Sequence, residues 1–285
     1  MAGSSPAWTL RRLLALWRFY GAMDLKWMMR DARSLLLWTL SDVITAISAV
    51  ASTLLLAARF NGIGRWSTPQ ITFMLGYALL VGMIPNIFFN YNVAYISRRI
   101  GRGQFDHVLV QPQPLWMILL TEGFSPFTTM LGLLPALALL AWPLGRGVHT
   151  VTIGWLAAFG LNVVASVAIA LSFSLIVGSL AFWAPRAAEE INSSSWHLLE
   201  SLKLFPLDGM GAGLTATLLT AVPAGFLAWY PSRALLGIDG AGYAILVTPL
   251  AAVVAVLLAT WVFRRGLRQY GRTGSQRYLS FGHRR

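Results

Sequence analysis

Two carboxylates, Asp42 and Glu122, stand inside long apolar runs of this chain. A carboxyl group at membrane depth is costly to ionise, so it either finds a cation or carries a proton. Residues for covalent chemistry are otherwise scarce. The only lysines, Lys26 and Lys203, follow no glycine, so the G-x-x-x-x-G-K-[ST] loop that cradles nucleotide phosphates is absent. His107, His149, His197 and His283 are scattered among different segments, without the H-E-x-x-H spacing that sets two zinc ligands on one helical face. No G-x-S-x-G nucleophile turn occurs, and there is no cysteine for disulfide, thiolate or iron–sulfur chemistry. What remains is a set of neutral polar groups beside the carboxylates. Thr45, Ser48 and Ser52 follow Asp42 at steps of three or four, Asn86 and Asn90 are one turn apart, and Asn162 comes later. Such steps place residues on one helical face. Asp42, Asn86, Asn90, Glu122 and Asn162 are therefore candidates for a translocation or gating surface. Amides and hydroxyls also stitch membrane helices together.

The elements that position these groups are apolar helices. Of 285 residues, 56% are hydrophobic and 11% are charged, against about 25% charged in an ordinary soluble domain. Apolar runs long enough for a bilayer recur along the chain. The expected fold is all-α: a single polytopic membrane domain with six spans at about 34–58, 70–96, 115–143, 151–183, 211–230 and 242–263. Pro85, Pro126, Pro135, Pro223 and Pro249 fall inside them and should kink or interrupt the helices. Over 8–33, Leu10, Leu13, Leu14, Trp17 and Tyr20 alternate at helical spacing with Arg11, Arg12 and Arg18. That pattern predicts an interfacial helix lying in the headgroup plane. No removable signal peptide is expected, because no short apolar core with a cleavage site follows the first residues. The stretch 186–207 carries Glu189, Glu190, Glu200 and Lys203 and reads by hydropathy as a cytoplasmic connector.

Charge then sets the orientation. Of 22 lysines and arginines, only Arg59, Arg65, Arg146 and Arg233 fall on segments expected outside. The positive-inside rule puts both termini in the cytoplasm. The formal charge of +12 is spread as clusters flanking apolar runs, which reads as topology control and contact with anionic membrane lipids. No basic nucleic-acid-binding module is present, so no nucleic-acid partner is expected.

One polar segment, 98–114, interrupts the apolar pattern and must face water. It contains Arg98, Arg99 and Arg102, then Gly103-Gln104-Phe105-Asp106-His107-Val108-Leu109-Val110-Gln111-Pro112. Phe105 and Leu109 are one turn apart, and Pro112 and Pro114 stop whatever helix forms. A short helix here would present an aromatic knob beside a carboxylate, a shape that fits a groove in a partner protein.

The pattern I-x-x-G-x-F-D-x-x-L-x-x-P after the second span resembles the permease subunits of ABC transporters of the type-2 exporter class, in the branch with paired permeases and a separate ATPase. Phe205-Pro206-Leu207, Val222-Pro223, Tyr230-Pro231, Leu236-Gly237 and the ending Trp261…Gly266-Leu267-Arg268-Gln269-Tyr270 are similar as well. Gln111 departs from the basic residue common before the proline. The resemblance implies that 98–114 is a coupling helix in which Arg99, Arg102, Gly103, Phe105, Asp106, Leu109 and Pro112 meet the ATPase. It implies two copies of an ABC ATP-binding subunit that hold ATP and Mg, with no cofactor in this chain. It further implies a second permease, identical or paralogous, and the inner (plasma) membrane of a bacterium. By the same resemblance, 186–205 would be the fifth span and 211–230 would be re-entrant. On the residues alone, an ion-coupled secondary transporter using Asp42 and Glu122 is the alternative.

Overall fold

The structure, a computed structural model, describes residues 6–274 apart from Asn90, Gly209, Asp239 and Ala241. Asn90 and the tail arginines Arg277, Arg284 and Arg285 thus lie outside the described residues. The described chain is all-helical. Helix α1 (Pro6–Arg30) is followed by α2 (Ala32–Phe60), with Asp31 between them accepting a hydrogen bond from the Ser34 amide as the N-cap of α2. Helix α3 (Thr68–Phe88) begins with a capping box between Ser67 and Gln70, which satisfies two orphan amides reciprocally. Four short helices come next: α4 (Tyr91–Ala94), α5 (Ile96–Gly101), α6 (Phe105–Leu109) and α7 (Leu115–Thr121). Then α8 (Pro126–Thr129) leads through a 3-10 turn into α9 (Leu133–Gly145). Helix α10 (Ile153–Gly178) ends in a 3-10 turn over Ser179–Phe182 and is followed by α11 (Pro185–Leu202). Finally come α12 (Ala212–Thr220), α13 (Trp229–Leu235) and α14 (Ala244–Thr273).

Five stretches are long and apolar enough to cross a membrane: Arg33–Phe60, Thr68–Phe88, Pro126–Gly145, Ile153–Phe182 and Ala244–Thr273. The pair Ala212–Thr220 and Pro223–Leu235 passes the same test together but is bent by 71°. Polytopic membrane architecture follows.

Two helix bounds expected from hydropathy are corrected. The second span does not continue to residue 96. Its helix stops at Phe88, where the Ser125 amide takes the Ile87 carbonyl (2.9 Å) and the Ser125 hydroxyl takes that of Asn86 (3.3 Å). The third span does not start at 115. It breaks between Thr121 and Pro126, and the new helix start is capped by Asp24 of α1, which accepts from the Phe127 and Thr128 amides (2.7 and 3.2 Å).

The stretch 186–207 forms α11 and the turn after it, and its contacts run from one end of the bundle toward the other. Glu189, near the start of α11, pairs with Arg98 and Arg102 at the end that carries α6. Beyond the helix, the Leu204 carbonyl accepts from Thr53 of α2 (3.4 Å), and Asp208 accepts from Trp66 in the turn between α2 and α3, at the opposite end. Some polar groups of this segment are satisfied on the way. Asn192 donates to the Ala94 carbonyl and to Ser97, and Lys203, only 3% exposed, pairs with Glu200 at 2.6 Å. Hydropathy counts these residues as water-seeking, whereas here protein groups replace the water.

The segment after α11 folds back into the bundle. Ser166, whose hydroxyl donates to the Phe226 carbonyl at 2.8 Å, lies about 20 Å along α10 from Ile153. By Leu235 the chain is back beside Trp155, whose indole N–H donates to the Leu235 carbonyl at 2.9 Å. One large core, with Trp66, Phe73, Tyr77 and Leu227 fully or nearly fully buried, fills the middle and far end of the bundle. A smaller one surrounds Phe105.

Candidate functional site

The site is built where the chain leaves α3. Ile96 and Ile100 on α5 are buried beneath the polar segment, which leaves Arg98 and Arg102 exposed on the other face. The turn into α6 needs Gly103, whose φ is +70, a backbone region that residues with a Cβ avoid. There the Gly103 and Gln104 amides reach back to the Ile100 and Arg99 carbonyls.

Helix α6 then turns Phe105 inward. This reverses the knob expectation: the ring is fully buried, packed edge-on against Phe182, Phe263 and Tyr270 with centroids 5.8, 6.3 and 5.9 Å away. Hydrophobic burial is the cause, because a ring in this position covers the gap between α5, the end of α10 and α14. Beside it, the Tyr270 hydroxyl donates to Asp106. A Cβ on Gly266 would run into the Phe182 ring, so that glycine lets α14 approach the cluster. The segment 98–114 is thereby bolted to α10 and α14 rather than merely laid over them.

The outer face of α6 is open. Leu109 is 42% and Val110 80% exposed, with Gln104, His107, Gln111 and Pro112 around them, also exposed. This aliphatic pair, rimmed by polar groups, forms a small ledge.

Ion pairs join this ledge to its surroundings. Arg99 reaches Glu122 at 2.6 Å, and Gln111 donates to the other oxygen of Glu122 at 3.4 Å. Glu122 is thus a counter-charge to Arg99, and no contact among the described residues joins it to Asp42. Tyr20 of α1 sits close by: burial, and secondarily the Glu122 carboxylate, pushes its phenol above the ordinary value. The Trp17 indole donates to the Leu120 carbonyl at 3.0 Å, so α1 braces the same end.

The remaining candidates do not converge. Asn162 is buried and donates to the Ala158 and Ile245 carbonyls (2.9 and 3.1 Å), tying α10 to α14. The Asn86 side chain is exposed. Asp42, Thr45, Ser48 and Ser52 are all exposed along α2, while Val50, Thr53 and Ala57 on another face are buried against the bundle.

A model for ABC-2 family transporter proteins matches residues 42–274. The chain belongs to the ABC-2 transporter family. It is the membrane subunit of such a transporter, a multi-pass protein of a kind that carries no ATPase domain and pairs with ATP-binding subunits. No curated protein and no solved structure gave a match.

Several residues central to this ABC-2 subunit had no role assigned from sequence. Gly266 and Tyr270 stood in a motif without a function, Glu189 read only as one charge of a connector, and Phe182 carried no signal at all. Asp208 is the clearest omission. At the far end it accepts from the Trp66 and Trp229 indoles and from Arg233, gathering three segments that sequence spacing could not bring together.

Proposed function

We propose that this chain is the permease of an ATP-driven exporter of a hydrophobic or amphipathic compound, working as one of two permeases, identical or paralogous, with two copies of a separate ATPase that holds the ATP and Mg. Both termini and the α6 end face the cytoplasm, at the bacterial inner membrane. Helix α11 is the fifth crossing and 212–235 a re-entrant hairpin from outside, which is allowed because protein covers its backbone.

The observation that carries this reading is the coupling of an exposed ledge to buried helices. Leu109 and Val110 dock on the ATPase, while Arg99, Arg102, Gly103, Asp106 and Pro112 hold or flank the ledge. Phe105 transmits. When nucleotide binding draws the two ATPases together, the push on α6 passes through the Phe105 ring and the Asp106–Tyr270 hydrogen bond to α14 and α10, which shift as rigid bodies. The exposed polar face of α2 from Asp42 to Ser52 supports the paired arrangement: such groups are expensive against lipid, and a second permease would enclose them as part of the path.

The test is reconstitution with the cognate ATPase. Leu109→Asp with Val110→Asp should abolish transport and transport-linked ATP hydrolysis while the permease stays folded in the membrane. Unchanged transport sinks the docking role. The ion-coupled alternative makes the opposite prediction for Asp42→Asn, namely loss of transport driven by a pH gradient without ATP.

A further inference from the structure

On the flank where α10 packs against α14, away from α6, two concavities lie one above the other. The first is an apolar groove of about 580 Å³ between Phe173 and Val177 of α10 and Val254 and Leu258 of α14, with the tip of the re-entrant hairpin above it. The second is a basic cavity of about 430 Å³ formed by Trp183, Trp261, Arg265, Arg268, Gln269 and Arg272. Along α14, residues 251, 254, 258, 261, 265, 268 and 272 follow each other at steps of three or four, so groove and cavity share one helical face. Phe263, Gly266 and Tyr270, which meet the Phe105 cluster, occupy the other side of the same helix.

We infer that this flank is a binding site for an anionic phospholipid, with its phosphodiester headgroup among Arg265, Arg268 and Arg272 and an acyl chain in the groove above.

Three observations select that occupant. Charge comes first: among the described residues no carboxylate pairs with these three arginines, and Arg265 instead lies over the Trp261 ring at 5.7 Å. Guanidinium groups recognise phosphate oxygens through paired N–H donors. Second is depth. Leu258 and Arg265 are about 10 Å apart along the helix, so the apolar groove opens about two-thirds of the way into a leaflet roughly 15 Å thick, at the depth of the distal half of an acyl chain. Third, Trp183 and Trp261 stand at the junction, the level at which tryptophan marks a membrane–water boundary. A soluble anion would use the cavity and ignore the groove, whereas a phospholipid fills both. On the orientation proposed above the lipid belongs to the cytoplasmic leaflet, but its recognition does not depend on the ATPase or on transport.

The test is native mass spectrometry and thermal unfolding of the purified permease in a neutral detergent, with dioleoyl phosphatidylglycerol, dioleoyl phosphatidylcholine or inorganic phosphate added. If each arginine contributes about fivefold, the wild-type protein should retain phosphatidylglycerol over phosphatidylcholine by on the order of a hundredfold. Only phosphatidylglycerol should raise its melting temperature. Arg265→Gln, Arg268→Gln and Arg272→Gln combined should remove the preference although the tail arginines remain. Val254→Trp, filling the groove, should weaken phosphatidylglycerol retention with the arginines intact. Equal retention of the two lipids by wild type, a comparison needing no variant, overturns the inference. So does a preference that survives the triple substitution, or protection by phosphate alone equal to that by the lipid.

Discussion

Replacing Phe105 with alanine should destabilise the isolated permease, before any ATPase is added. The whole ring is buried, and its three aromatic neighbours belong to the turn after α10 and to α14. Losing a buried phenylalanine costs about 3–5 kcal/mol in transfer and cavity terms together. The upper half of that range is expected, since Phe182 is held by Gly266 and Tyr270 by Asp106, which leaves little freedom for collapse into the void. At a few degrees per kcal/mol, the melting temperature should fall by on the order of 10 °C. The measurement is thermal unfolding of purified permease in detergent, with Val110→Asp as the control. Val110 is among the most exposed residues of the segment, so its substitution should shift stability by roughly 0.5 kcal/mol at most and yet impair coupling. A Phe105→Ala protein that melts like wild type, while losing transport, would refute the reasoning and restore the ring to the role of an exposed knob.

Asp208→Ala should be among the most damaging single changes at the far end, because it removes the acceptor of two indole N–H groups and the ion-pair carboxylate beside the mostly buried Arg233. Removing one member of a buried pair typically costs about 3–5 kcal/mol, readable as a lower unfolding temperature, and Asp208→Asn should recover part of it. Glu122→Gln leaves Arg99 without its 2.6 Å partner at a site where both side chains are about one-fifth exposed; a loss of about 1–3 kcal/mol is expected, against about 0–1 kcal/mol for Glu189→Gln, whose arginines are half exposed. The sequence has no cysteine, so single introduced cysteines report position without background. Phe205→Cys should react with an impermeant thiol reagent from outside and His107→Cys only from inside. Labelling of Phe205→Cys from the cytoplasm would return 186–207 to the role of connector.

The amino-acid sequence alone determined the class of molecule. With 11% charged residues and recurrent runs of bilayer length, burial in lipid is the only inexpensive arrangement, and the polar segment 98–114 must then stand outside it. Gly103 entered only through the family resemblance, and its turn with φ of +70 is a finding of the structure. The tertiary structure decided what hydropathy and spacing cannot encode. Whether Phe105 points at a partner or into the protein depends on Phe182, Phe263 and Tyr270, which lie far along the chain and meet it only after folding. The path of α11 rests on the same kind of fact: Asn192, Lys203 and Asp208 look water-seeking in sequence, but the backbone carbonyls, Glu200, the indoles and Arg233 that satisfy them come from tertiary contacts. A residue's own chemistry fixes what it needs, and only the folded neighbourhood fixes whether water or protein supplies it.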